Sequence, residues 1–358
     1  MALIKLNTRS IPDDAVTPAK VLMNLGRRNL IDNGDMQLAQ RASSQALTSG
    51  LFTCDRFKLS YAGLGQWAGT MAQVADAPDG FGNSLKFTTT TVETSLDAGE
   101  YAYFAQFVEA QNLQHLKFGS SSAQSLTVSF WVKSSLTGVF GQSLYTEDNN
   151  GMANATYTIN TANTWEYKTI TYAGDTSRGI NNDTGPGMRV IWALAAGTNL
   201  NSAPTNNAWE TYSDAKFSGG HVQNALLSTD NATIQFTGAQ LEVGDTATSF
   251  EHRSYGEELA LCQRYYQRWS KFDTFPVVRY SAAGGNAFGA LQYYVPMRVT
   301  PTATSGGTWR TTSGFDSVGV TSAFEAHIRL GTTNDAGANE CRYLESSPDG
   351  FVAADAEL

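Results

Sequence analysis

The sequence predicts an all-β protein built from two β-sandwich modules joined by a short helix. Three observations lead to this prediction. Many short segments alternate apolar and polar residues with a period of two, which is the spacing of a half-buried strand. Gly, Asn, Ser and Asp separate these segments, as expected of turns. Only 16% of the 358 residues are charged, and 41% are hydrophobic, so the chain can bury two cores.

The clearest strand pattern lies in SLTVSFWVKSS, residues 125–135. Leu126, Val128, Phe130 and Val132 point to one face, so Trp131 and the other odd-numbered residues point to the opposite face. Five further segments rich in Thr, Val, Ile and aromatic residues show the same composition, namely 100–109, 155–160, 164–174, 188–197 and 233–244. These strands, which follow one another at irregular spacing, predict a sandwich rather than a solenoid or propeller.

Composition changes along the chain divide it into four parts. Residues 1–27 contain two prolines and a short apolar patch without a partner strand, so we expect an arm that docks onto other proteins. Residues 28–252 are expected to form the larger sandwich, and 271–358 a smaller one. Residues 1–10 lack the apolar core of a secretory signal, so synthesis and assembly in a cytoplasm are expected.

Residues 253–270 are predicted to form a connecting helix. Ser254 and Glu257 have the spacing of a capping box. An apolar stripe then recurs at intervals of three or four through Tyr255, Leu259, Cys262, Tyr266 and Trp269. The stripe can pack against the chain's own domains or form a short coiled coil around a symmetry axis.

Several function classes are excluded by the composition. A net charge of −9 argues against nucleic-acid partners, which need clustered Lys and Arg. No apolar stretch approaches the ~20 residues that cross a bilayer, so no membrane insertion is expected. Four isolated histidines and three scattered cysteines give neither a metal-ligand spacing nor a nucleophile motif. We therefore expect no enzymatic activity and no catalytic residues.

Four residues are candidates for ligand contact. Glycan recognition needs a flat aromatic ring for the apolar face of a sugar and polar groups beside it. Trp131 has the non-core parity of its strand, and Lys133 shares that face. Tyr103 and Trp192 lie in neighbouring strand-like segments and are expected to join them. The alternative is that these rings pack beneath a crossing loop or at a subunit contact.

Some segments also resemble a known family. NLIDNGDMQLAQR (29–41), FTCDRFKLS (52–60), SLTVSFWVKS and the stretch 238–268 resemble bacteriophage tail-fibre and virion-associated proteins, and the last is the most specific. The opening N-L-I-x-N-G-D-M is also similar to that of jelly-roll carbohydrate-binding modules. The resemblance implies a jelly roll, and a structural Ca²⁺ near the opening and closing strands at Asp35 and Glu242. In the alternative interpretation Asp35 is only a turn residue after Gly34.

The resemblance further implies a role in the virion. We expect a homotrimeric tail-fibre subunit that attaches to other virion proteins through residues 1–27 and binds host-surface glycans, with no cofactor beyond the possible Ca²⁺. Two alternatives stay open: a capsid decoration or head-fibre protein, and a polysaccharide-degrading tailspike. An accessory sugar-binding module of a secreted enzyme is a weaker alternative, because neither an export signal nor a catalytic neighbour is present.

Overall fold

The computed structural model describes residues 27–270, 274–278, 288–307, 309–311, 317–333, 341–346 and 350–358. The predicted arm therefore lies outside the described residues, except for Arg27. The all-β prediction is confirmed. Twelve strands form the first module: β1 Ser44–Ala46, β2 Lys58–Ala62, β3 Ala68–Val74, β4 Ser84–Thr91, β5 Tyr101–Glu109, β6 Leu126–Ser134, β7 Gly138–Thr146, β8 Gly151–Ile159, β9 Glu166–Tyr172, β10 Pro186–Ala196, β11 Glu210–Thr211 and β12 Thr233–Val243.

These strands form two antiparallel six-stranded sheets packed face to face. Sheet A has the order β1-β3-β4-β12-β6-β9, and sheet B has the order β11-β8-β7-β10-β5-β2. Short helical segments join the strands: 3₁₀ turns at Ala110–Leu116 and Asp214–Lys216, and α1 at Ala225–Ser228. Neighbours in each sheet are mostly distant in sequence, which is the crossover pattern of a jelly roll.

The core of this module lies between the two sheets. Leu126, Val128, Phe130 and Val132 of β6 are each fully buried there, as the alternation predicts. On the far side of the core, the ring of Phe104 stacks on that of Trp192 with centroids 5.0 Å apart. Buried apolar area of this kind stabilises a sandwich by roughly 25 cal/mol per Å². The strand parity of β6 therefore fixes which of its side chains are left for the outer face.

The opening segment of the module pairs with β12 of sheet A. The Leu30 amide donates to the Leu241 carbonyl at 2.9 Å, and the Ala239 amide donates to the Gly34 carbonyl at 2.9 Å. Asn29, which is 1% exposed, accepts from the Leu241 amide through its side chain. This pairing places the first described residues beside the last strand of the same module.

Helix α2 spans Tyr255–Gln263. Its capping box is present: the Ser254 side chain accepts from the Glu257 amide, and Glu257 accepts from the Ser254 amide. The prediction of a helix to residue 270 is wrong, because Tyr266 already begins a strand that pairs with the C-terminal strand. Tyr255 is 59% exposed, so it also lies off the buried side of the helix. For Tyr266 and Trp269, pairing with a distant strand outweighs the apolar spacing that favours a helix.

The second module begins at that strand. Its strands are β13 Tyr266–Ser270, β14 Thr274–Val278, β15 Phe288–Gln292, β16 Thr302–Gly306, β17 Trp309–Thr311, β18 Ser317–Ala323, β19 His327–Thr333, β20 Cys341–Ser346 and β21 Phe351–Asp355. They form a three-stranded sheet, β13-β21-β16, and a six-stranded sheet, β17-β20-β14-β15-β19-β18. A small core includes Trp269, Ile328, Leu330 and Val352.

A buried ionic network joins the two modules. Arg56 is 1% exposed and lies 3.4 Å from Asp32, while its guanidinium also binds Glu357 near the C-terminus. Arg264 makes two hydrogen bonds to Glu109, at 2.7 and 2.9 Å. Burial opposes ionisation of Glu109, but these bonds hold its pKa below the usual value. The contacts fix the second module against the end of the first.

Among the described residues, no helix has the length and apolar composition needed to cross a bilayer. Cys54 and Cys262 are buried free thiols.

Candidate functional site

Two aromatic side chains form a platform on the outer face of sheet A. Trp131 of β6 is directly opposite Tyr167 of β9 in the antiparallel register. Their ring centroids are 5.3 Å apart and their planes are tilted by 47°. Trp131 is half-buried and Tyr167 is 43% exposed. Cross-strand aromatic pairs of this kind stabilise a sheet, and their outward faces remain open to a ligand.

A second group of rings walls the platform on one side. Phe81 comes from the β3–β4 loop, and Phe250 and His252 come from the segment after β12. Their ring centroids are 4.9–5.4 Å apart. Together with Trp131 and Tyr167 these residues line an open cavity of about 600 Å³. This volume lies in the range of small-ligand sites. We call this cavity the Trp131 site.

Gly238 sets the floor of the Trp131 site. It lies at a register shift in the pairing of β12 with β6 and has φ of +61°. A Cβ at this position would lie 2.8 Å from Cζ of Phe81 and 3.1 Å from Cδ1 of Trp131. The bulge therefore requires glycine twice, for its backbone conformation and for the close approach of the two rings.

Charged groups lie beside the platform. Lys133 binds Asp76, and this hydrogen bond holds the pKa of Asp76 below its usual value. The Lys133 ammonium also lies 5.0 Å from the ring centroid of Trp165, a cation–π distance. Lys133 and Trp131 share the outer face of β6, as predicted. Trp165 therefore lies at the same face.

Tyr103 does not join this face. It lies on β5 of sheet B and is only 7% exposed. Phe217 covers it, with ring centroids 5.0 Å apart, and Arg189 donates to its hydroxyl at 3.2 Å. The expectation that Tyr103 neighbours Trp131 is wrong, because β5 pairs with β10 and β2 and not with β6.

Trp192 lies inside the sandwich. It is 1% exposed and packs between Phe104 and Phe130 in the core. The expectation of an outward Trp192 is wrong. Its strand β10 is central in sheet B and buried on both faces, so the segment has no polar alternation to reveal which residues point inward.

The Ca²⁺ expectation does not fit the arrangement of Asp35 and Glu242. Glu242 accepts from Gln240 Nε2 at 2.8 Å, from the Thr248 amide at 2.9 Å and from the Thr248 hydroxyl at 2.6 Å. Its oxygens are thus already bound by protein donors. Asp35 lies beyond the Gly34 end of the opening segment, whereas Glu242 lies beside the other end.

Asp35 has the features of a turn residue. It follows Asn33 in a turn closed by the Met36 amide, which donates to the Asn33 carbonyl at 3.0 Å. One carboxylate oxygen accepts from the Gln37 side chain. Among the described residues, no group of three or more His, Cys, Asp or Glu is placed to hold a metal ion. Asp35 and Glu242 thus have separate hydrogen-bond partners, and the other Asp35 oxygen is buried without a hydrogen bond among the described residues.

The sequence reasoning missed most of the Trp131 site. Tyr167 could have been predicted, because strand alternation with Ile170 and Tyr172 directed to the core leaves the odd-numbered residues on the outer face. The structure buries both Ile170 and Tyr172. Phe81, Phe250 and Gly238 carry no such signal, since loops and a bulge bring them together. His252 was counted only among the isolated histidines, yet its ring contacts Phe81 and Phe250.

No protein-family model and no curated protein sequence matches this chain. Several solved structures match it at low identity, among them a phage protein domain and two sugar-binding modules. An enzymatically active domain of a bacteriophage CBA120 tailspike protein has a TM-score of 0.33 at 11% identity, covering 60% of this chain and 21% of that one.

The other two are sugar-binding modules. A family 11 carbohydrate-binding module from Clostridium thermocellum, solved with a mixed-linked tetrasaccharide, has a TM-score of 0.28 at 12% identity, covering 59% of this chain and 99% of that one. A xylan-binding domain from Paenibacillus barcinonensis has a TM-score of 0.28 at 11% identity, covering 61% and 96%. At these TM-scores the likenesses carry no weight for function.

Proposed function

We propose that this chain is a non-enzymatic structural protein that binds carbohydrate at the Trp131 site. The observation that carries the proposal is the paired platform of Trp131 and Tyr167, turned outward from sheet A over a cavity of about 600 Å³. A sugar presents apolar C–H groups on one face of its ring, and these stack on aromatic side chains. The surrounding hydroxyls then find polar partners at the rim.

The lining of the cavity favours a neutral glycan. Asp79 is the one carboxylate among the described lining residues, and neither Lys nor Arg lines the cavity. The Lys133 ammonium beside the platform is already bound by Asp76. A polyanionic glycan would meet no free cation here and would be repelled by a chain of net charge −9. Hydroxyl donors can bind Asp79, and the hydroxyl oxygens of Thr248 and Ser249 can accept further hydrogen bonds.

The same lining supports the proposal that binding is not followed by cleavage. Hydrolysis of a glycosidic bond usually takes two carboxyl groups, one on each side of the scissile bond. The described lining residues include only Asp79. A polysaccharide-degrading tailspike is therefore the weaker alternative.

We further propose that the protein acts in a phage particle as a tail-fibre subunit. The support is the resemblance of residues 29–41 and 238–268 to tail-fibre and virion-associated proteins. Residues 1–27 would contact other virion proteins, and three copies would assemble into one fibre. Assembly into trimers suits a shallow sugar site, because several weak contacts gain affinity when they engage together. A capsid decoration protein remains the alternative location.

The test of the proposed function is binding to an array of immobilised neutral oligosaccharides, with gluco-, galacto- and xylo-oligosaccharides among them. Trp131→Ala should weaken binding by at least about tenfold, because one ring stacked on a sugar contributes roughly 1.5 kcal/mol or more. Tyr145→Ala is the matched control, since Tyr145 is a half-buried aromatic residue on the other sheet.

The proposal would be overturned if wild-type protein bound no member of the array. It would also be overturned if Trp131→Ala bound as well as the control Tyr145→Ala. A fall in thermal stability that accompanies the binding loss would mean that Trp131 serves the fold. Virion location is tested separately by mass spectrometry and antibody labelling of purified particles.

A further inference from the structure

The outer face of sheet A carries a second row of side chains next to the platform. In the register of β6 with β9, Trp131 is opposite Tyr167. One strand period further on, the Lys133 ammonium lies 5.0 Å from the ring centroid of Trp165. We call Lys133 and Trp165 the second row. The two rows are about 7 Å apart along the strands, so a sugar ring stacked on one row does not reach the other.

The Trp165 ring is available to a ligand and is held in place. Trp165 is half-buried, as Trp131 is, so part of its indole ring meets solvent. The residue directly precedes β9, so the strand fixes the position of its backbone. The Lys133 ammonium over the ring also restrains it. A ring that is already ordered loses little conformational entropy when a sugar stacks on it.

An exposed carboxylate lies beside the second row. Asp76 in the β3–β4 loop binds the Lys133 ammonium, and its side chain remains 51% exposed. The Ser84 hydroxyl donates to the Asp76 carbonyl at 2.6 Å, which ties the loop to the start of β4. An ammonium has three N–H donors, and the bond to Asp76 uses only one of them. The second row therefore offers sugar hydroxyls an acceptor and a donor next to an aromatic ring.

The second row continues the Trp131 site along the strands. Residues 79–81 of the β3–β4 loop line the cavity of that site, and Asp76 precedes them in the same loop. The cavity extends from the platform toward Ser129, two residues before Trp131, whereas the second row lies two residues after it. The platform is thus in the middle of one band that follows β6 and β9.

We propose that the Trp131 site takes a linear neutral glycan along this band, with one sugar ring on the Trp131–Tyr167 platform and another on Trp165. Hydroxyl groups of the second sugar bind Asp76 and Lys133, whose charges balance each other. This inference rests on the proposed function, because it assigns a second subsite to the same site. A chain that meets both rows gains contacts that a single sugar cannot make, so the affinity should rise with chain length.

A second copy of the chain suits the band less well. A protein interface would bury the Asp76 carboxylate and the Lys133 ammonium together, and removing an ion pair from water is costly. Sugar hydroxyls replace the hydrogen bonds of water to both groups and leave part of the carboxylate in solvent. An aromatic ring beside an exposed ion pair therefore favours carbohydrate.

The test is calorimetric titration of the full-length chain with a linear oligosaccharide series of increasing length, chosen from the sugars that wild type binds on the array. The affinity of wild type should rise about tenfold when the chain becomes long enough to reach Trp165. Trp165→Ala should remove most of this rise and affect the shortest bound member least. Asp76→Asn should reduce the rise by a few-fold, because an amide oxygen is a weaker acceptor than a carboxylate.

Two further variants check that the loss is specific. Trp165→Phe retains a ring at the second row and should keep part of the rise with chain length. Trp209→Ala is the matched control, since Trp209 is also half-buried but donates to the Ala173 carbonyl outside the site. It should show the same dependence on chain length as wild type.

An affinity of wild type that does not change with chain length would refute the second subsite. Equal weakening of every length by Trp165→Ala would also refute it, because the indole would then support the platform and contact no sugar. In both cases the proposed function stands, provided that Trp131→Ala still weakens binding. A wild-type chain that binds no oligosaccharide would remove both proposals. A change of molecular mass by light scattering in Trp165→Ala would instead identify the band as a contact between copies.

Discussion

Acidification should weaken the first module through one buried histidine. His221 is 1% exposed and holds the segment that covers sheet B. Its Nδ1 accepts from the Gly141 amide at 3.1 Å, so Nε2 carries the proton and donates to the Gln223 carbonyl at 3.1 Å. Protonation at Nδ1 would set an N–H against the Gly141 N–H. Burial is the largest cause that lowers the pKa of His221, from 6.5 to about 4.

The size of the effect follows from linkage. The unfolded chain binds a proton at this histidine below pH 6.5, whereas the folded chain does so only near pH 4. Stability is therefore intact above pH 6.5, falls as the pH drops from 6.5 to 4, and loses no more from this group below that. At pH 4.5 the loss is roughly 2–3 kcal/mol, since each unit of pKa shift is equivalent to roughly 1.4 kcal/mol.

Two measurements check this prediction. In NMR titration of chain labelled at its four histidines, one imidazole should titrate near pH 4. The difference in unfolding free energy between wild type and His221→Asn, measured with urea, should be roughly 2–3 kcal/mol smaller at pH 4.5 than at pH 7.5. The reason is that asparagine keeps an acceptor for Gly141 but does not titrate. An imidazole of His221 that titrates near 6.5, or a difference that is independent of pH, would refute the reasoning.

Two further predictions concern the module junction and the Trp131 site. Arg56→Met should lower the free energy of unfolding by ~3–5 kcal/mol, because it removes the buried cation that Asp32 and Glu357 share and leaves them only the flanking Arg27 and Arg41; thermal unfolding measures this, and a loss below about 1 kcal/mol would contradict it. Gly238→Ala should cost ~1–2 kcal/mol through its φ of +61° and change tryptophan emission by displacing the ring of Trp131. Gly99→Ala is its control, since a Cβ there meets nothing within 4 Å, and equal behaviour of the two variants would exclude the predicted clash.

A comparison of β6 with β10 shows when the sequence predicts the orientation of side chains in a strand. In β6 the apolar residues alternate cleanly, and Leu126, Val128, Phe130 and Val132 are all buried. That parity placed Trp131 on the outer face without knowledge of any partner strand. Where both faces of a strand are buried, as in β10, the alternation disappears. Trp192 was consequently assigned to the wrong side.

The helix shows a different limit. Ser254 and Glu257 start α2 through contacts within four residues, and the sequence displays them directly. The end of the helix depends on β21, which begins more than 80 residues later and pairs with Tyr266–Ser270. Tyr266 and Trp269 have the spacing of a helical stripe, but they form a strand because β21 pairs with them. The local sequence does not reveal this partner.

Local rules therefore determined the all-β class, the strand segments, the start of α2 and the outward position of Trp131, because the period of the side chains is a property of the backbone itself. Only the tertiary structure decided which strands are neighbours. The pairing of β6 with β9 brought Tyr167 to Trp131, and the loops around Gly238 added Phe81 and Phe250. Contacts between residues so far apart in sequence depend on the packing of the whole sandwich, and no short segment records them.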